Sequence, residues 1–145
     1  MNSWRRKAGR FHELDGPSRR LVLGSAVLLP LFWLRVKVLG QCTLGPGRVG
    51  STLAPQVDAA VRMGQLVNRV AHYVLPPDNC LSRSLCLQWL LRRRGIPADL
   101  RLGVQLDAGQ LQAHAWVEVA GHPVNDAQDV AERFLPFEQP LSAQA

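Results

Sequence analysis

Cysteine is scarce in this chain: Cys42, Cys80 and Cys86 are the only three among 145 residues. So small and odd a set does not staple a scaffold, which points to a reducing cytoplasm and leaves each thiol to be judged alone. Metal-ligand spacings are also missing. Without C-x-x-C, H-E-x-x-H or a dense Cys/His cluster, no metal site is expected. No Walker loop and no strand-borne G-x-G-x-x-G is present, and the arginines are not interleaved with aromatics, so neither a cofactor nor a nucleic-acid partner is expected. Nor is there a long hydrophobic run. Leu21 to Leu34 is apolar except for Gly24, Ser25 and Pro30 and stops at Arg35 and Lys37, so its 14 residues fall short of the roughly 20 that cross a bilayer. The run starts late for a signal peptide and no small-x-small site follows it closely. A helix facing the core or a partner is expected there, with peripheral membrane contact as the alternative. No internal repeat or low-complexity tract is visible.

Charge is unevenly placed. Residues 1–50 carry nine Lys and Arg against only Glu13 and Asp15, whereas residues 51–145 carry eight against nine acids. With 47% hydrophobic residues, the length suits one domain. The expected division is a basic, apolar helical lead-in over 1–50 and a catalytic unit over 51–145. Within the lead-in, a polar basic tail is expected to fray up to Gly16-Pro17. Ser18 is the expected cap of a helix that Pro30 kinks or divides. The stretch from Gly40 to Gly50, with Gly45, Pro46 and Gly47 inside it, reads as a connecting loop.

Three further segments define an α+β chain, N-terminal helices followed by a small antiparallel sheet. Val57, Val61, Leu66, Val70 and Val74 recur at near-helical spacing, predicting a helix from about Pro55 to Val74, with Ser51 or Thr52 as its cap. The run from Cys80 to Arg94 ends in three arginines and then Gly95, which places cations at the negative end of a helix dipole and Gly just past its end. Beyond Pro97 the period changes to two: Leu100, Leu102, Val104 and Leu106, a turn at Asp107-Ala-Gly-Gln110, then Leu111, Ala113, Ala115, Val117 and Val119. A third strand is expected from about His122 to Asp126, with Phe134, Leu135 and Phe137 closing the core.

Chemistry enters through Cys80, His114 and Asp126. Cys80 follows the Pro76-Pro-Asp-Asn79 turn and opens the third helix, where the helix dipole and unpaired N–H groups favour a thiolate. Cys86, about 240° away around the helix, cannot share that face and reads as a buried small hydrophobe. His114 shares a strand face with Gln112, Trp116 and Glu118 and is the candidate base. His12, His72 and His122 read as surface residues. Asp126 is the candidate orienter, accepting the Nδ1 proton of His114, with Asn125, Asp129 and Glu118 as substitutes. A two-residue turn at Ala120-Gly121 pairs Ala115 with Asp126 and turns Asp126 away from His114, so an odd loop or a bulge at Gly121 is predicted. Gln41, beside Cys42, is a weak candidate for an oxyanion donor.

The blocks Cys80-Leu-Ser-Arg-Ser-Leu-Cys-Leu87, Leu90-Leu-Arg-Arg-Arg-Gly-Ile-Pro97, Leu100-Arg-Leu-Gly-Val104, Ala113-His-Ala-Trp-Val-Glu118 and Pro123-Val-Asn-Asp126 resemble the transglutaminase-like cysteine proteases of lasso peptide biosynthesis. These are relatives of the C-terminal half of the microcin-processing leader peptidase. The resemblance is close from Pro77 to Asp126 and loose outside it. It implies a papain/transglutaminase-like α+β fold, with Cys80 as nucleophile, His114 as base and then acid, and Asp126 as orienter. It also implies removal of the leader from a ribosomally made lasso precursor. The implied partners are that precursor, a separate leader-recognition protein, and an ATP-dependent, asparagine-synthetase-like cyclase. An acyl-transferring enzyme with the same triad, or a non-catalytic scaffold presenting precursor to the cyclase, remain the alternatives.

Overall fold

A computed structural model describes residues 14–40 and 54–137. The basic tail, the Gly-rich connection with Gln41 and Cys42, the cap candidates Ser51 and Thr52, and His12 lie outside the described residues. The first helix, α1, spans Gly16–Leu39 and begins after Asp15 rather than Ser18. Pro17 stands in its opening turn, where a missing N–H costs nothing. Pro30 does not divide α1. It faces solvent, while Leu29 and Phe32 on the opposite side are buried and hold both halves against the core. Gly40, at φ 61°, ends the helix by donating its N–H to the Val36 carbonyl at 3.2 Å.

Helix α2 spans Ala54–Val74. Its buried stripe is Ala60, Met63, Val67, Val70 and Ala71, so Val70 alone of the predicted set lies fully within it. Val57, Val61 and Leu66 lie along its margin and Val74 is 38% exposed. Asp78, at φ 63°, turns the chain into α3, Cys80–Arg93. Here the predicted C-terminus holds. Gly95, at φ 74°, donates to the Arg92 carbonyl at 3.0 Å, and Ile96 to the Leu91 carbonyl at 3.1 Å, the paired bonds of a Schellman motif.

The sheet is antiparallel, in the order β3-β2-β1-β4. Strand β1, Asp99–Asp107, and β2, Gln110–Val119, join through Ala108 and Gly109, both at positive φ. That two-residue turn suits the right-handed strand twist. One face of the hairpin, with Leu100, Ala115, Val117 and Val119, packs chiefly on α3 and joins the main core that α1 and α2 complete. The other face carries Gly103 opposite His114, and Arg101 opposite Trp116.

Strand β3 is shorter than predicted, only His122–Pro123. A short helix α4, Val130–Arg133, then leads to β4, Leu135–Pro136, at the far edge of the sheet. Of the three residues expected to close the core, only Phe134 is buried. It joins Val130 and Trp116 in a small second cluster, while Leu135 and Phe137 are exposed. Leu135 lies on the two-residue edge strand β4 and Phe137 just beyond it.

Candidate active site

Cys80 is the first residue of α3, and the N–H groups of that first turn have no side-chain cap. Asn79 turns its amide back to the Pro76 carbonyl at 2.6 Å instead. Four residues along the same helix face, Ser84 donates to the Ala115 carbonyl at 3.0 Å and fixes α3 against β2. The start of the helix therefore meets the strand at His114 and Ala115. There the His114 ring and the Ala115 backbone both act on the thiol to lower its pKa.

The opposite edge of the imidazole meets Asp126. His114 Nε2 lies 2.6 Å from Asp126 Oδ2, so the nitrogen left for Cys80 is Nδ1. The two ring nitrogens are thus exchanged relative to the sequence-based expectation.

The predicted odd loop or bulge at Gly121 is absent. Ala120 and Gly121, both at positive φ, form a two-residue turn that pairs Val119 with His122 and Glu118 with Pro123. Asp126 reaches His114 because the ladder is abandoned before parity can turn it away. Val124 still donates to the Val117 carbonyl at 2.9 Å, but the Val117 N–H goes to the side chain of Asn125, at 2.8 Å from Oδ1. One amide side chain takes over from the backbone, and the chain bends through 124–126.

Helix α2 backs that bend. A Cβ on Gly64 would stand 2.0 Å from the Val124 carbonyl oxygen, so only glycine admits so close an approach. One turn further on, Asn68 donates to the Asn125 carbonyl at 2.8 Å. Asn125 also donates Nδ2 to Ser84 Oγ at 3.0 Å, inside the fold. Ser84 and Asn125 thereby connect the helix of Cys80, the strand of His114 and the bend of Asp126.

The ring of His114 is held on its flat side. Phe134 stacks on it at 4.7 Å between centroids, and Trp116 lies parallel at 6.3 Å. Gly103 leaves the room for this: a Cβ there would come within 3.0 Å of both Phe134 and Trp116. Trp116 is fully buried and donates its indole N–H to Glu118 at 2.9 Å, which also pairs with Arg101 at 2.9 Å. None of the substitute orienters touches His114. Glu118 is engaged as described, Asp129 lies 3.8 Å from Arg133, and Asn125 serves the ladder.

Electrostatics separate the two described thiols. Burial pushes the Cys80 thiol up, but the hydrogen bonds from His114 and Ala115 and the charges of His114 and Arg83 outweigh it, leaving its pKa below the ordinary thiol value. Burial alone pushes the fully buried Cys86 up to about 12, a group with no thiolate at neutral pH. Hydrogen bonds to Asp126 and then Cys80 raise His114 to about 9 against the effect of burial. For Asp126, burial works upward, and the bonds from His114 and the Ala127 N–H carry it below the usual carboxylate range. Such a set favours a thiolate, an imidazolium and a carboxylate in a row.

Arg83 lies one turn after Cys80, and its charge acts on both Cys80 and Asp126. It lines a polar pocket of about 520 Å³ with Gln65, Asn68, Pro123 and Asn125, directly beside Asp126. Arg83, Ser84, Gly64 and Asn68 were not singled out in the sequence, and Phe134 was read only as a core residue. For Arg83 and Ser84 a signal was present, since positions three and four after a helix-borne nucleophile share its face. His72 and His122 are exposed, as expected.

The model of the transglutaminase-like superfamily matches residues 26–139. The microcin J25-processing protein McjB of Escherichia coli is 33% identical over 64 residues, which make up 44% of this chain and 30% of that protein. The chain thus aligns with less than a third of this relative's length. No solved structure matches.

Proposed function

The chain belongs to the transglutaminase-like superfamily, and on that premise we propose that it is a cysteine peptidase that removes the leader from a lasso peptide precursor. The observation that carries this reading is the row Cys80, His114, Asp126, with its lowered thiol and raised imidazole. Similarity to a microcin-processing protein supports the substrate class.

In the proposed reaction the Cys80 thiolate attacks the carbonyl carbon of the last leader residue. The tetrahedral intermediate collapses to a thioester as the C–N bond breaks, and the imidazolium of His114 gives its Nδ1 proton to the departing amine of the core peptide. His114 then takes a proton from water, whose oxygen attacks the thioester. The leader leaves with a free carboxylate and Cys80 is restored. Asp126 holds the ring and offsets its charge throughout. The uncapped N–H groups at the start of α3, that of Cys80 first, are placed to receive the developing oxyanion.

The polar pocket beside Asp126 would take part of the precursor next to the scissile bond. A separate leader-recognition protein would deliver the precursor, and an ATP-dependent, asparagine-synthetase-like cyclase would use the released amine. In this reading residues 1–50 are a lead-in and residues 51–145 the protease unit, working in the cytoplasm.

The test is incubation with a leader-bearing precursor and an added small amine, with and without a recognition partner, read by mass. Free leader acid and core peptide are the expected products. Amine adducts without hydrolysis would instead indicate the acyl-transfer chemistry available to the same triad, and an untouched precursor with the partner present would sink both.

A further inference from the structure

Helix α1 has two faces, and the core uses only one. Leu21, Ser25, Leu29 and Phe32 are buried against the rest of the fold. On the other side Leu23, Val27, Leu31, Leu34 and Val38 are each more than half exposed. Their spacings of four, four, three and four residues place them on one line along the helix, some 22 Å long at 1.5 Å per residue. Exposed Pro30 borders the same line. An apolar strip of this length on a single helix, presented outward, is unusual for a surface that meets only water.

The charge within the helix is of one sign, with exposed Asp15 at its N-cap the nearest acid. The helix contains no acidic residue, and exposed Arg20 sits in line with the strip at its start. Toward its end, exposed Arg35 and Lys37 fall roughly 80° to either side of the centre line, taking 100° per residue. Arg19 and Arg20 also stand in the first two turns, where the helix dipole favours acids over cations. In the preceding sequence Arg5, Arg6, Lys7 and Arg10 outnumber the acids Glu13 and Asp15.

We propose that α1 lies flat on an anionic membrane surface, with Leu23, Val27, Leu31, Leu34 and Val38 entering the acyl boundary and the flanking cations meeting the headgroups. Charge complementarity selects this occupant. An apolar centre edged by cations fits the boundary between hydrocarbon and phosphate, which is the pattern of interfacial helices. Although α1 is long and apolar enough to cross a membrane, its buried face is part of the protein core, and spanning would strip Leu29 and Phe32 from their contacts. The helix therefore lies on the surface and does not cross it. This inference is independent of the peptidase reading. It places the site at a bilayer surface whether or not the site cleaves a precursor.

The test is flotation of the full chain with vesicles of phosphatidylglycerol and phosphatidylcholine, beside vesicles of phosphatidylcholine alone. The protein should float with the anionic vesicles only, and raised salt should release it. Leu31→Glu should abolish flotation. Arg20→Gln with Lys37→Gln should weaken it roughly 25-fold, about fivefold per cation. These side chains face solvent, and unchanged circular dichroism of the variants shows that the fold is retained. Equal binding to both vesicle types, or to neither, would overturn the proposal. So would a sedimentation result in which the chain is a dimer that Leu31→Glu makes monomeric, since a second copy would then own the strip. A strip claimed by another protein would show as binding to that protein lost in Leu31→Glu while vesicles are ignored, which also overturns it.

Discussion

Asn125 donates its side-chain Nδ2 to Ser84 Oγ at 3.0 Å, and through this bond the helix of Cys80 is tied to the bend that carries Asp126. Ser84 in turn donates to the Ala115 carbonyl, and Asn125 accepts the Val117 N–H, so the strand of His114 is held from both sides. Ser84→Ala should leave buried groups of Asn125 and Ala115 without this partner and cost about 1–3 kcal/mol. Because Ser84 is fully buried, kcat should fall more than KM rises. Denaturant unfolding and steady-state kinetics on the same preparation check both. Full stability with unchanged kcat would remove Ser84 from the account.

Gly64→Ala puts a methyl group 2.0 Å from the Val124 oxygen, with backbone on both sides and little room to yield. A loss of about 3 kcal/mol is expected, at the upper end for overpacking. The bend of Asp126 must move, so residual folded protein should show a depressed His114 pKa by NMR titration as well as a lower melting temperature. Wild-type stability would mean that α2 does not constrain the bend.

The pH dependence follows from the shifted groups. Activity needs a thiolate beside an imidazolium, a pair that exists above the lowered pKa of Cys80 and is lost as His114 deprotonates near pH 9. The basic limb of kcat/KM should therefore lie near 9. In Asp126→Asn, without the first cause of the raised value, it should move toward the ordinary 6.5 while kcat/KM drops about 10²- to 10⁴-fold. Stability runs the same way. His114 is raised on folding, so its contribution is full below about 6.5 and is lost as pH climbs through about 9. Asp126 is lowered, so its contribution is present above the ordinary carboxylate value and lost on acidification below it. A basic limb unmoved by Asp126→Asn would contradict the pairing.

The two described thiols should react very differently. Cys80 is partly exposed with a lowered pKa, whereas Cys86 is sealed in the core with a pKa near 12. Brief iodoacetamide treatment of the folded protein, followed by peptide mapping, should modify Cys80 and spare Cys86. Cys86→Ala should keep activity and cost about 1–2 kcal/mol through the small cavity it leaves. Modification of Cys86 at a comparable rate would show that the core opens.

Much of this was legible in the sequence. Cys80 at a helix start, the Gly95 end of α3 and the two strands around Asp107 to Gln110 follow from local rules of capping, dipole and period, and local rules are what a sequence states directly. The approach of Asp126 was not legible in detail. Strand parity at Ala120-Gly121 demanded a bulge, but the side chain of Asn125 replaced a backbone group in the ladder, and no pattern of hydrophobic alternation encodes that substitution. The choice of His114 nitrogen is a tertiary fact. Gly64 and Phe134 likewise act through residues distant in sequence, and nothing local to either marks them. For α1, the apolar run was visible but its outer half was not: Leu29 and Leu31 look alike in the sequence, and only packing makes one buried and the other exposed.

The central claim is that Cys80 performs the cleavage, and the most direct measurement is the mass of precursor peptide after incubation with wild type and with Cys80→Ala under identical conditions, recognition partner included. Wild type should yield leader acid and core peptide, and Cys80→Ala should leave the precursor at its full mass. Cleavage at a comparable rate by Cys80→Ala would contradict the account.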